Sequence, residues 1–167
     1  MGNTDRFRPD RGFVDPKDLP KGPNGRPLCR FCQKETTPPR RTFCSEACVI
    51  SFKTQSSGSF ARQQVFERDR GICADCGLDT MALKAVLYKV RAERGFAAYQ
   101  NLLDQYKLKY GYDFALHKHY WENDHKLAVC LGGGAATLDN LITRCVPCHR
   151  KKTRWDLRKL RKKRQRG

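Results

Sequence analysis

The sequence predicts a small α+β protein in which a short cysteine-rich finger precedes a larger domain carrying a helical insert. Three observations lead there. The chain has 167 residues, room for one domain and a small satellite. Eight of its nine cysteines fall into two sets of four, Cys29, Cys32, Cys44 and Cys48, then Cys73, Cys76, Cys145 and Cys148. Between Cys76 and Cys145, apolar residues recur at helical spacing and are followed by a short run that alternates aromatic and polar side chains.

Taken in order, residues 1–27 are rich in Pro, Gly, Asp and Arg, show neither period, and read as a disordered leader or linker. Residues 28–60 form the finger, with the Cys44 and Cys48 pair at a helix start and Val49, Ile50 and Phe52 packing behind it. Residues 61–155 form the larger domain. Its insert, about 79–110, contains one helix from Asp79 to Arg94, with Met81, Leu83, Val86, Leu87 and Val90 as a packing face. A second runs from Phe96 to Lys109 on Phe96, Tyr99, Leu102, Leu103 and Tyr106, until Gly111 breaks it. The stretch from His119 then alternates as a strand ending at Asp124, Gly132 to Gly134 mark a loop, and Leu138 to Leu141 open a helix or turn. Pro147 to about Leu160 is a further helix, leading into a basic tail over 156–167. His117 and His119 read as solvent-facing strand residues, and Cys130 as a small loop or core residue.

Charge narrows the function. Lys and Arg number 34 against 17 Asp and Glu, a formal net charge of +17, and the segment from Arg150 to Gly167 alone contributes +10. Such a run is either a solvated, self-repelling arm or a surface that tracks phosphates. Arg158, Lys159, Lys162 and Lys163 fit one side of a helix continuing from Trp155. No apolar run is long enough for a bilayer, and the charged N-terminus lacks the apolar stretch of a signal peptide. An intracellular location is therefore expected, cytoplasmic in a prokaryote or nuclear in a eukaryote.

In a reducing compartment, cysteines at these spacings are metal ligands rather than disulfides. Zinc takes four tetrahedral ligands, and two cysteines separated by two residues present both sulfurs to one ion from a tight turn. Cys73, Cys76, Cys145 and Cys148 thus make one structural zinc site, pinning the start of the domain to its last helix. Cys29, Cys32, Cys44 and Cys48 make a second, with treble-clef or FCS-type spacing. Four thiolates leave no coordination position open for chemistry, so the finger scaffolds or contacts a protein or nucleic acid partner. Cys145 to His149 also spells the C-x-x-C-H of covalent haem attachment, but that reading needs export and leaves Cys73 and Cys76 unexplained; no haem is expected.

Within Glu122 to Thr153, Asp124 and His125 sit side by side at a strand end, Asn140 follows a Gly-rich loop, and His149 follows a zinc knuckle on a helix. A carboxylate and an imidazole can hold one divalent ion while leaving positions for water and phosphate, and a second imidazole can take a proton from water. That is a set of parts for phosphodiester hydrolysis. The segment resembles the HNH endonuclease family, whose DH, GG, DNL, C-x-x-C-H and K-T pattern is matched by Asp124, His125, Gly132, Gly133, Asp139, Asn140, Leu141, Cys145, Cys148, His149, Lys152 and Thr153. The resemblance covers about Arg62 to Arg154. A cysteine-rich finger ahead of the module also looks like stand-alone bacterial HNH proteins.

The resemblance implies a ββα-metal fold. It makes His125 the general base, Asp124 and His149 the ligands of one catalytic divalent ion, Mg2+ or Mn2+, and Asn140 the brace that orients His125. Arg150, Lys151, Lys152 and Arg154 would grip neighbouring phosphates of a DNA substrate. The chain departs from the family in having Lys126 and Ala128 where many members have an apolar residue and Pro, which implies a less rigid loop. The function expected is a metal-dependent DNA endonuclease or nickase. A non-catalytic, zinc-stabilised nucleic-acid-binding module is the alternative, and it needs none of Asp124, His125, Asn140 and His149.

Overall fold

The computed structural model describes residues 14–116, 119–133 and 137–165. Gly134, His117 and the first 13 residues of the leader lie outside the described residues. The chain divides into two compact units, residues 1–62 with 135–138, and residues 63–134 with 139–167.

In the first unit the stretch from Val14 to Pro27, expected to be structureless, has a short 3-10 turn at Pro16–Asp18 and buries Leu19. Its order comes from backbone pairing, which leaves no periodic trace in sequence. Lys21 bridges Pro27, Leu28 bridges Glu35, and Leu28 N–H donates to Pro20 O. Helix α1 (Glu46–Ser56) starts at Ser45, whose Oγ accepts from the Cys48 N–H at 3.2 Å. Behind it Phe52 is buried edge-on to Phe43, and the Arg30 guanidinium lies 4.4 Å from the Phe52 ring centroid. Val49 and Ile50 are only half-buried. Helix α2 (Gly58–Asp69), which the sequence reading does not anticipate, follows directly.

The second unit is built around Cys73, Cys145 and an aromatic-aliphatic core of Leu78, Leu83, Leu87, Leu103, Tyr112, Phe114, Tyr120 and Val146. Helix α3 (Thr80–Tyr110) contains the two expected helices, separated by a kink at Gly95. There φ is 80° and ψ is −177°, a conformation reserved for glycine. The kink lets Leu83 and Leu87 from one limb and Leu103 from the other enter the same core. Met81, Val86 and Phe96, assigned to packing faces from their spacing, are exposed. Helical periodicity marked a wider stripe than the core covers. The αL residue Gly111 caps the second limb, its N–H bonding Lys107 O.

Strands β1 (Trp121–His125) and β2 (Leu141–Cys145) pair antiparallel, with Trp121 opposite Cys145 and His125 opposite Leu141. A two-stranded ribbon is marginal alone. Here Trp121 stacks on Phe66 at 5.9 Å, Arg68 donates to Leu141 O, and the Asp69 carboxylate accepts from Thr143 N–H at 2.9 Å. Helix α4 (Val146–Arg164) then runs through the segment assigned to the tail. Among the described residues no helix is long and apolar enough to cross a membrane.

Candidate active site

Both predicted cysteine quartets are assembled, with the four sulfurs of each within 4.8 Å of one another. Neighbouring sulfurs stand 3.4 Å apart for Cys32–Cys44 and Cys44–Cys48, and 3.6 Å for Cys76–Cys145. A disulfide would bring them to about 2.05 Å. The edge of a tetrahedron with Zn–S bonds of ~2.3 Å is about 3.8 Å, so the quartets fit zinc. Knuckle turns explain the convergence: Gln33 N–H bonds Cys29 O at 3.0 Å, and Gly77 N–H bonds Cys73 O at 2.9 Å. Both turns need a left-handed residue, Gln33 with φ 61° and Gly77 with φ 71°.

In each quartet one sulfur collects the negative charge. The Cys145 thiol, hydrogen-bonded to the Cys73 sulfur, outweighs burial and, with backbone N–H groups, brings Cys73 down to about 4. Burial raises the Cys29 thiol, but backbone N–H groups of Cys32, Cys44 and Phe31 bring it down to about 7. Cys44 is pushed up to about 12, first by its hydrogen bond with Cys32 and then by that with Cys48. A bound cation would offset charge gathered in this way and release the remaining thiol protons.

The second quartet adjoins the rest of the predicted site. Cys145 ends β2 and is the N-cap of α4, Cys148 lies in its first turn, and His149 follows. His149, Glu122 of β1, Thr153 and Arg154 line one cavity. Strand alternation puts Asp124 on the same face of β1 as Glu122. Among the described residues, only the two cysteine quartets bring three or more metal-ligating side chains within reach of one ion. Asp124 and His149 would therefore supply few of a catalytic ion's ligands, leaving the others to water and phosphate oxygens. A hard carboxylate with an imidazole fits a small divalent cation on donor chemistry.

Asp124 is held from two sides. Its Oδ1 accepts from the His125 N–H at 2.8 Å, and its Oδ2 accepts from Arg144 Nη1 at 2.9 Å. Each carboxylate oxygen keeps a second lone pair. Arg144 was not singled out from the sequence. It is buried on β2, and its Nε donates to Asp75 Oδ2 at 2.8 Å, inside the first zinc knuckle, while Nη1 also donates to His125 O at 3.0 Å. Burial pulls this guanidinium down, but the hydrogen bonds to Asp75 and Asp124 overcome it and hold it above its ordinary value. The only sequence signal was an arginine lodged in an otherwise uncharged run directly before a ligating cysteine.

Asn140 clamps the loop that leaves β1. Its Oδ1 accepts from Leu127 N–H at 3.0 Å, while its Nδ2 donates to Leu127 O at 3.2 Å and Gly133 O at 3.0 Å. Lys126 N–H bonds Asn140 O at 2.7 Å. The loop carrying Lys126 and Ala128 is thus fixed by hydrogen bonds where many family members place a proline. Gly133 packs against the Leu127 carbonyl so closely that a Cβ there would collide with it. Cys130 is exposed on the 3-10 turn Val129–Leu131, and His119 is exposed.

Of the four predicted phosphate contacts, Lys151 and Arg154 are exposed on α4. The Arg150 guanidinium lies 4.9 Å from the Tyr112 ring centroid. Lys152 turns inward to an ion pair with Asp156, in which both side chains are at least nine-tenths buried. Its pairing has an internal role that its place in a basic run concealed.

A family model described as HNH endonuclease matches residues 111–154. The chain is similar to the DNA annealing helicase and endonuclease ZRANB3 of Mus musculus, 33% identical over an alignment 158 positions long that covers 87% of this chain and 14% of that relative. The protein of the same description from Homo sapiens is 30% identical and that from Bos taurus 32%, each over an alignment 142 positions long that covers 77% of this chain and 13% of the relative. The chain thus spans about one seventh of the length of these curated relatives. No solved structure matches it. The matched segment takes in the ribbon, the Asn140 clamp and the first turns of α4 behind Cys145 and Cys148, and residues 111–154 carry an HNH endonuclease domain.

Proposed function

We propose that the chain is a metal-dependent endonuclease or nickase that hydrolyses DNA phosphodiester bonds. The observation that carries this reading is the Asn140 clamp, three side-chain hydrogen bonds that fix the loop immediately after His125. A module that only binds nucleic acid has no use for a loop pinned beside a strand-end histidine. The relatives' description as DNA annealing helicase and endonuclease supports DNA as the substrate.

In this reading His125 accepts a proton from the attacking water, the general-base task that imidazole side chains most often perform. Asn140 and the backbone bonds around Lys126 keep that side chain's mount still. Asp124 and His149 would hold the divalent ion, which supplies Lewis-acid charge to the phosphate oxygens when bound. Arg144 keeps the Asp124 carboxylate oriented through its Nη1 hydrogen bond. Lys151 and Arg154 present cations to the phosphates on either side of the cleaved bond.

The test is nicking of supercoiled plasmid with Mg2+ or Mn2+, comparing wild type with His125→Ala. Loss of a positioned general base should slow cleavage by roughly a hundredfold or more, with DNA affinity little changed. Equal rates for the two proteins would remove His125 from the mechanism. A wild type that binds DNA but cuts nothing with either ion would make the chain a zinc-stabilised binding module.

A further inference from the structure

Helix α4 carries an aromatic surface that hydrolysis does not use. Of the two tryptophans, Trp121 is buried against Phe66, whereas Trp155 is 50% exposed. Trp155 lines a cavity of about 540 Å3 whose walls include Lys151, Arg154 and Arg158. Asp75, also on its wall, is paired with Arg144. Lys159, which is not part of the wall, lies over the indole with Nζ 3.5 Å from the ring centroid. One face of the ring is thereby covered and polarised by a cation, leaving the cavity side for a ligand.

We infer that this cavity takes an unpaired nucleobase of the DNA substrate, stacked on Trp155, with its flanking phosphates on Lys151, Arg154 and Arg158. A flat π surface rimmed by cations is matched chemically by a base between two phosphates, and such stacking tolerates any base. Arg154 also lines the cavity that holds His149, so the two sites share a wall. Six residues of helix from His149 to Trp155 rise about 9 Å, or two to three nucleotides at ~3.4 Å per nucleotide of strand. A base inside a duplex has both faces covered by its neighbours. Only a nucleotide outside the stack can meet the indole, so the preferred substrate has a single-stranded stretch within a few nucleotides of the cleaved bond. This inference rests on the reading of the chain as a DNA-cleaving module.

The experiment is a binding measurement with the whole zinc-loaded chain and no added catalytic ion, so that nothing is cut. The probes are a blunt duplex and the same duplex carrying a short single-stranded overhang. Wild type should prefer the overhang, and the overhang should quench the exposed indole's fluorescence. Trp155→Ala should weaken overhang binding by roughly 5- to 150-fold, the range for one stacked base, and bring the two affinities together. Trp155→Phe should keep most of the preference while losing the quench. If Trp155→Ala weakened both probes equally, or neither, the stacking inference would fall while the nuclease reading stood. Failure of the wild type to bind either probe would overturn both.

Discussion

In the finger, Cys48 occupies the third position of α1, and the helix behind it buries only Phe52 and Thr54. In the second quartet, Cys148 occupies the third position of α4, and the helix behind it presents His149, Arg154 and Trp155. The starts differ as well. Ser45 caps α1 through its own hydroxyl, whereas the N-cap of α4 is the ligand Cys145, which makes no side-chain capping bond. One quartet completes a small local fold around a conventionally capped helix. The other fastens an uncapped helix to the end of a strand whose neighbour bears Asp124 and His125, so the same ligand set carries consequences for the site in one place only.

Removing one ligand from each quartet puts the sharpest strain on that contrast. Cys145→Ser and Cys44→Ser should each lower the zinc content from about two ions per chain to about one, measured by elemental analysis after dialysis. Structural zinc contributes on the order of 10 kcal/mol or more to the folds it organises, so Cys145→Ser should abolish plasmid nicking. Cys44→Ser should retain most of it. Comparable loss from both would mean that the finger takes part in cleavage.

A smaller effect is expected from Arg144→Leu, which keeps all eight ligands but leaves Asp75 and Asp124 without their shared cation. Breaking a buried ion pair from one side costs about 3–5 kcal/mol, to be read as a lower denaturation midpoint for the second unit. Nicking should also require more divalent ion. Arg144→Lys should rescue only part, since an ammonium cannot span two carboxylates as the planar fork does. An unchanged metal requirement in Arg144→Leu would reduce this residue to packing.

The metal quartets were legible in sequence because a knuckle is a local device, written in spacings of two or three residues. Strand β1 was legible too, from its alternation. Strand β2 was not: Leu141, Thr143, Arg144 and Cys145 are all buried, so no polar face alternates with an apolar one. Helix α2 escaped because its firmly buried residues are just Ala61 and Val65. Arg144 escaped for another reason: its partners Asp75 and Asp124 lie 69 and 20 residues away, and among 34 basic residues nothing local distinguishes it. For the site itself, sequence supplied the chemical groups, whereas their fastenings depended on tertiary structure.

The smallest expected effect belongs to the finger. Ser45→Ala removes the bond to Cys48 N–H and should destabilise α1 by about 0.5–2 kcal/mol, seen as faster zinc loss to a chelator. That loss should involve one ion and leave nicking untouched. A change in nicking would again tie the finger to cleavage.

The kink at Gly95 has a consequence for the length of chain that the second zinc site can enclose. Its ligands Cys76 and Cys145 are 69 residues apart, a loop whose closure opposes assembly. That entropic cost grows only logarithmically, by about 0.6 kcal/mol for each doubling of length. Shortening the loop fourfold would recover about 1.2 kcal/mol, little beside the ~10–16 kcal/mol of structural zinc binding. Because the kink at Gly95 lets both limbs of α3 enter one core, much of the enclosed chain is also held by packing between those limbs. The insert can therefore change in length or surface at little cost to the zinc site, provided that residue 95 remains a glycine and the limbs stay matched.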